Sequence, residues 1–365
     1  MNKVVSSNQR LTFGRDNSFH TELRRKVDEY FQRTGRRQRD CPQMYLKTAI
    51  ILLAYVGLYT GLVFFATAWW QALPLAILLG LAMAAIGFNI EHDGAHQAFS
   101  NHAWVNRMMA MTMDLLGASS YVWHWKHDVV HHTYTNIAGH DADIELGIVG
   151  RISPHHPRLR FHRWQHFYLW PLYGLNVIKW QLYDDFRDVI LGRIGQHRMP
   201  RPKRWEWLRF TGAKAVFFAI AFVLPLMLHR PLTVCLFYGV AVVTAGVVVS
   251  IVFQLAHCVE EADFPVPPTE SRSIDNAWAI HQIETTVNFA RRSRVQSWLL
   301  GGLNFQVEHH LFPRICHVHY PQISKLVEQT CREYGVVYRE HSSFRAGLAS
   351  HFRWLRRMGT ATASS

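Results

Sequence analysis

From Thr48 to Ile90 the chain carries no Asp, Glu, Lys, Arg or His. A helix of about 20 apolar residues crosses the hydrocarbon core of a bilayer. Inside that core every backbone polar group must be satisfied within the segment or a closed barrel. The run therefore holds two helical spans and excludes an ordinary soluble domain. Its break is expected near Trp69–Pro74, WWQALP, because paired Trp and a Pro suit a membrane interface. A second pair follows much later. Ala215–Leu228 is short for a span, but Lys214 can snorkel and extend it. His229-Arg230 then makes a tight turn, and Pro231–Ala256 is again free of charge. The approximate spans are 47–68, 72–91, 211–229 and 231–256.

The expected architecture is an all-α integral membrane protein. Two helix hairpins carry a polar, helical cap, and 1–365 form a single domain. The overall mean hydropathy is close to zero, which fits a few spans under a large cap. The loop near residue 70 has no charge and the turn near 229 has one Arg. The positive-inside rule then places 1–46, 92–210, 257–365 and both termini on the cytoplasmic side. Two weaker apolar stretches, Met108–Trp125 and Phe167–Trp180, are expected to lie in the interface or against the cap. An amphipathic helix is expected over Phe19–Phe31, with Leu23, Val27, Tyr30 and Phe31 on one side.

The net charge of +13 could serve nucleic acid, anionic lipid or an acidic protein. The long uncharged runs disfavour nucleic acid. Cys41, Cys235, Cys258, Cys316 and Cys331 are scattered and form no CxxC, which predicts free thiols and no zinc knuckle. The N-terminus lacks an apolar leader and a myristoylation pattern. The tail Gly359–Ser365 is expected to be unstructured.

The 23 histidines nearly match the 26 acids in number, a surplus that points to metal or proton chemistry. In Leu303–Pro313, LNFQVEHHLFP, residues Gln306, His309 and His310 share one face of a helix. His92 and His96 in EHDGAH are i and i+4, where the second span ends. His127 and His131 in HDVVHH repeat that spacing, with His132 beside them. His257 sits at the end of the fourth span, at a depth matching His92. A lone interfacial histidine is ordinarily solvated or satisfied, and an HxxxH alone is weak. Three clusters at one membrane depth make a joint signal. Eight histidines exceed what one tetrahedral zinc needs and suit two metals with four or five ligands each. A nitrogen-rich set with open positions favours iron and oxygen chemistry over calcium or magnesium. Asp93, Asp128, Asp141 and Glu308 are near enough to orient the imidazoles from behind. Their alternative role is ordinary surface charge. His124 and His140 flank the second cluster and are further candidates for that role. His102, His155, His156, His162, His166, His281, His317 and His319 lack the repeated spacing and are set aside.

These residues carry a resemblance. Two helix hairpins with HDGAH, HDVVHH and QVEHH resemble the integral-membrane fatty acid desaturases, over roughly Leu11 to Met358. The stretches QRDCPQMYLKT, HHTYTNIAGHD, GGLNFQVEHHLFP and ICHVHYPQ are similar to the cyanobacterial acyl-lipid Δ6 type. A third box that opens on Gln resembles the front-end subgroup, which adds a double bond between an existing one and the carboxyl end. The resemblance implies a di-iron centre that uses O2 to remove two hydrogens from an acyl chain. It implies iron ligation by His92, His96, His127, His131, His132, His309 and His310, with His257 as an extra ligand. Gln306 stands where other subgroups have a ligand histidine, and either ligates weakly or holds a water.

The implied substrate is a fatty acyl lipid or an acyl-CoA. The sequence has no haem-binding HPGG, so the expected electron donor is a separate ferredoxin or cytochrome b5. Such donors are usually acidic, which gives the positive charge a docking role. Contact with anionic membrane lipid is the other reading of that charge. A lipid or carotenoid hydroxylase or ketolase on the same scaffold is the nearest rival. A metal or haem carrier is another, but it would need polar groups within the spans. A catalytically dead lipid-binding relative is the third.

Overall fold

The computed structural model describes residues 11–266 and 273–360. Four helices are long and apolar enough to cross a membrane: Pro42–Phe65, Trp69–Ala95, Arg204–Leu226 and Pro231–His257. Each pair forms a hairpin. The first and fourth spans open on a proline at the first helical turn, after an extended Cys41 or Arg230. The missing amide hydrogen of proline costs nothing there, because the first turn has no intrahelical acceptor to lose. The first break lies at 66–68, slightly before the expected WWQALP. Gln71 Oε1 accepts from the Thr67 and Ala68 amides and caps the second span, so both tryptophans fall inside it. Pro74 remains within the helix.

The second and fourth spans pack along each other most closely. At Gly80 a β-carbon would come 2.3 Å from the Ala241 carbonyl oxygen, so only glycine permits this crossing. The outward faces leave Leu53, Phe65, Trp69, Leu232 and Met227 exposed, as lipid-facing residues should be.

The cap is helical, with three short two-stranded pairings among the described residues. Thr12–Gly14 runs parallel to Ser273–Ala277, and Asn288–Phe289 runs parallel to Glu340–His341. Arg193–Ile194 and His197–Arg198 form an antiparallel pair. The expected amphipathic helix is Ser18–Thr34, with Phe19, Leu23, Val27 and Phe31 buried at four-residue spacing. This stripe packs on Tyr320, Ile323 and Val327 of the helix Tyr320–Glu333 and on Phe305, Val307 and Leu311. Full burial of each Leu, Val, Ile or Phe contributes roughly 1.5–3 kcal/mol. The N-terminal helix thus clamps the third histidine box from outside.

The apolar stretch 108–125 breaks into short helices, and 167–180 is helical apart from Gly174. Both leave apolar side chains exposed, including Met108, Leu115, Phe167 and Leu175. The last helix is Phe344–Thr360, so Gly359 and Thr360 are helical where an unstructured tail is expected. Residues 361–365 and the N-terminal ten lie outside the described residues. Cys41, Cys235, Cys258, Cys316 and Cys331 are all free thiols.

The third box is hung from the spans by a tight turn. Gly301 has φ of 60°, and a β-carbon there would lie 2.0 Å from the Phe88 carbonyl oxygen in the second span. Gly301→Ala should therefore lower the thermal midpoint of the detergent-solubilised protein, since the left-handed backbone alone costs roughly 1–3 kcal/mol. Gly57→Ala, in the first span with open space around it, should be neutral or stabilising by roughly 0.5–1 kcal/mol. Equal midpoints for the two variants would refute the close docking of Gly301.

Candidate metal centre

Three local helical geometries aim the histidines inward. The second span passes through a π turn, Gly87–Glu91, before reaching His92 and His96 at its end. The second box is itself a π turn, His124–His131. In an α-helix, residues five apart are turned away from each other by about 140°. A π turn is wider and brings i+4 and i+5 to nearly the same face as i. His127 consequently meets both His131 and His132, with ring centroids 5.2 and 4.9 Å away. The third box is the short helix Gln306–Leu311, every residue of it buried. His257 is the last residue of the fourth span.

All eight box and span-end histidines come together. One ring nitrogen each from His92, His96, His127 and His309 lies within 4.8 Å of the others. His131, His257 and His310 form a second such group. His132, His309 and His310 form a third, which joins the other two. Gln306 is buried at the head of the third-box helix, three and four residues before His309 and His310.

These nitrogens fit metal ions. Nε2 of His96, His131, His309 and His310 and both ring nitrogens of His132 are buried without a hydrogen-bond partner among the described residues. Leaving so many buried polar atoms unsatisfied costs roughly 1–3 kcal/mol each unless something binds them. Burial, followed by repulsion from neighbouring histidines, holds His96, His132, His309 and His310 neutral, well below the usual imidazole range. A neutral imidazole has a lone pair to donate. Burial alone would do the same to His131, but Asp141 and Asp143 override it and shift His131 upward. A donor set built from nitrogen suits iron, zinc or copper rather than calcium or magnesium.

A second layer fixes the rings. Asp141 Oδ2 lies 3.0 Å from His131 Nδ1 and also accepts from the Asn136 amide. Asp128 bonds His124 Nδ1 at 2.8 Å and reaches to 3.5 Å from His96 Nε2. Two acids sit elsewhere than expected. Asp93 turns away from the box and takes His317 Nδ1 at 3.0 Å, because His317 packs against it from the loop after the third box. His317 Nε2 in turn lies 3.1 Å from Lys47 Nζ. Glu308 faces the Asn288 amide and the Tyr338 hydroxyl, at 2.8 and 2.7 Å, rather than a histidine. Burial pushes its carboxyl up to about 7. His140 packs at a tilt against Tyr134 and His197 rather than against a box ring.

Several partners are unsignalled by spacing. Gln282 Oε1 lies 2.7 Å from His310 Nδ1, and the Thr285 carbonyl lies 3.3 Å from His257 Nδ1. Tyr320 OH is 3.4 Å from His309 Nδ1, and Trp123 stacks on His127. Asp143 lies 3.8 Å from His127 Nδ1 and is paired with Lys126. Only Asp143 carries a cue, as an acid two residues past Asp141.

A helical membrane protein with buried histidine pockets at the ends of its spans defines the class. The family profile described as fatty acid desaturase matches residues 68–342. The chain is 40% identical to the sn-1 linoleoyl-lipid 6-desaturase of Synechocystis sp., over 97% of this chain and 99% of that protein. It is 38% identical to the protein of the same name from Arthrospira platensis, over 97% and 96% of the two chains. It is 34% identical to the acyl-lipid (8-3)-desaturase of Physcomitrium patens, over 93% of this chain and 72% of that one. The chain belongs to the fatty acid desaturase family and is an oxidoreductase.

Replacing His310 or His131 with Ala should lower the metal content of the purified protein, measured by plasma mass spectrometry. The variants should still insert into membranes. Unchanged metal per chain in either variant would remove that residue from the ligand set.

Proposed function

We propose that the protein is an O2-dependent di-iron acyl desaturase that places a cis double bond at the Δ6 position of linoleoyl-type lipid. The observation that carries this reading is the set of eight buried histidines gathered at the ends of apolar spans. Support for the Δ6 position comes from the two cyanobacterial relatives, each named a linoleoyl-lipid 6-desaturase and matched almost end to end.

His92, His96, His127 and His309 would hold one iron, and His131, His257 and His310 the other, with His132 between them. Gln306 would ligate weakly or hold a water. Two irons and O2 supply the oxidising power that an unactivated C–H bond demands and that side-chain acid–base chemistry lacks. The chain's own residues position and insulate. Asp141 holds the His131 ring with its Nε2 free. Phe253, on the fourth span, packs against His131 and His257 and gives that pocket an apolar flank facing the spans. The acyl chain would approach from the bilayer side.

On this reading the cap, both termini and the metal pockets would lie on the cytoplasmic side, where a separate ferredoxin or cytochrome b5 would deliver electrons. The net charge of +13 supports docking of an acidic donor. It equally supports contact of the cap margin with anionic lipid headgroups. The whole chain acts as one domain on this reading.

The test is fatty acid profiling by gas chromatography–mass spectrometry, with double-bond location, in a host fed linoleate. A new Δ6 double bond is expected. A hydroxylated or keto product, or no change, would overturn the assignment. His131→Ala and His309→Ala should each abolish the product, and a residual product in either would refute that histidine as an essential ligand.

A further inference from the structure

The segment Trp278–Asn288, WAIHQIETTVN, contains no box, yet it lines the back of the second histidine pocket. Trp278 Nε1 donates to the His132 carbonyl at 3.1 Å. The Thr285 carbonyl lies 3.3 Å from His257 Nδ1. Asn288 Nδ2 donates to Glu308, and its Oδ1 accepts from the Val307 amide in the third-box helix. In the middle lies Gln282, fully buried. Its Oε1 is 2.7 Å from His310 Nδ1 and 3.0 Å from Thr135 Oγ1. Thr135 Oγ1 also lies 2.7 Å from the His131 carbonyl, and its one proton serves either acceptor. Gln282 therefore bridges the second and third boxes.

We propose that this segment is a positioning element of the His131–His257–His310 pocket, and that Gln282 commits His310 to the tautomer a metal can use. A neutral imidazole carries one proton on one of its two nitrogens. With the amide oxygen facing Nδ1, the proton sits on Nδ1 and the Nε2 lone pair is free. Nε2 of His310 is buried without a hydrogen-bond partner among the described residues. The reversed amide would present N–H to Nδ1, drive the proton to Nε2 and block ligation there. The other two rings of the pocket are set the same way, His131 by the Asp141 carboxylate and His257 by the Thr285 carbonyl. Three different acceptors thus lock three rings with Nδ1 occupied. Gln282 is the one of the three that brings neither a charge nor a fixed backbone position, so it can be exchanged without moving either.

The assignment rests on the metal-centre reading. It is tested by titrating Co(II), anaerobically, into the metal-free full-length protein in detergent, with the visible absorption bands as readout. Wild type is expected to take two equivalents. Gln282→Met keeps the side-chain length but has no comparable acceptor. It should weaken one equivalent by about 10–100-fold, the usual effect of losing a partner behind a ligand histidine, and leave the other unchanged. Gln282→Glu retains the acceptor oxygen and should bind two equivalents as wild type does. If the methionine variant does not fold, Gln282→Ala replaces it with the same expectation. Two tight equivalents in the methionine or alanine variant, or the same loss in the glutamate variant, would overturn the assignment of Gln282 alone. Wild type that takes up no cobalt would overturn the metal-centre reading and this assignment with it.

Discussion

Eight imidazoles removed from water and packed ring to ring are the constraint that the rest of the structure serves. Their rings lie as close as 4.3 Å, as between His92 and His309 and between His132 and His310. In the absence of charge they are compatible neighbours, and burial keeps most of them neutral. Each neutral ring then needs one nitrogen satisfied from behind and leaves the other to be satisfied in front. Asp141, Gln282 and the Thr285 carbonyl do the first. Metal ions are the natural occupants for the second.

That constraint explains the architecture around the pockets. The spans provide the helices whose ends deliver His92, His96 and His257 to the pockets. The cap brings His127, His131, His132, His309 and His310 down onto those ends. The amphipathic helix Ser18–Thr34 and the helix Tyr320–Glu333 close over the third box. Gly301 lets the loop before that box lie against the Phe88 carbonyl. A cap of this kind buries its core against both the spans and itself, and its margin keeps apolar side chains such as Trp104 and Trp164 exposed.

Family membership makes this arrangement chemically intelligible. A desaturase must remove hydrogen from an acyl chain while drawing electrons from a separate source. Both requirements meet at the ends of the spans. The apolar flank beside His131 and His257 comes from Phe253 of the fourth span. Beside the same pocket, charged groups appear in Asp141, Asp143 and Lys126.

The sequence by itself determined the spans, the all-helical class and the identity of the eight histidines. Those signals are periodic or compositional: a run from Thr48 to Ile90 without charge, and an HxxxH spacing at a span end that is repeated in the cap. The starts of the first two spans shifted by a few residues, because Pro42 and capping by Gln71 decide where those helices begin, whereas the fourth span starts at Pro231 as expected. Tertiary structure decided which nitrogen groups with which. The π turn at His124–His131 admits His132 to the face of His127, a register that α-helical counting does not yield. Only folding brought Gln282 behind His310, sent Asp93 to His317 and turned Glu308 toward Asn288 and Tyr338. These partners lie far apart in the chain and follow from packing, which leaves no local pattern to read.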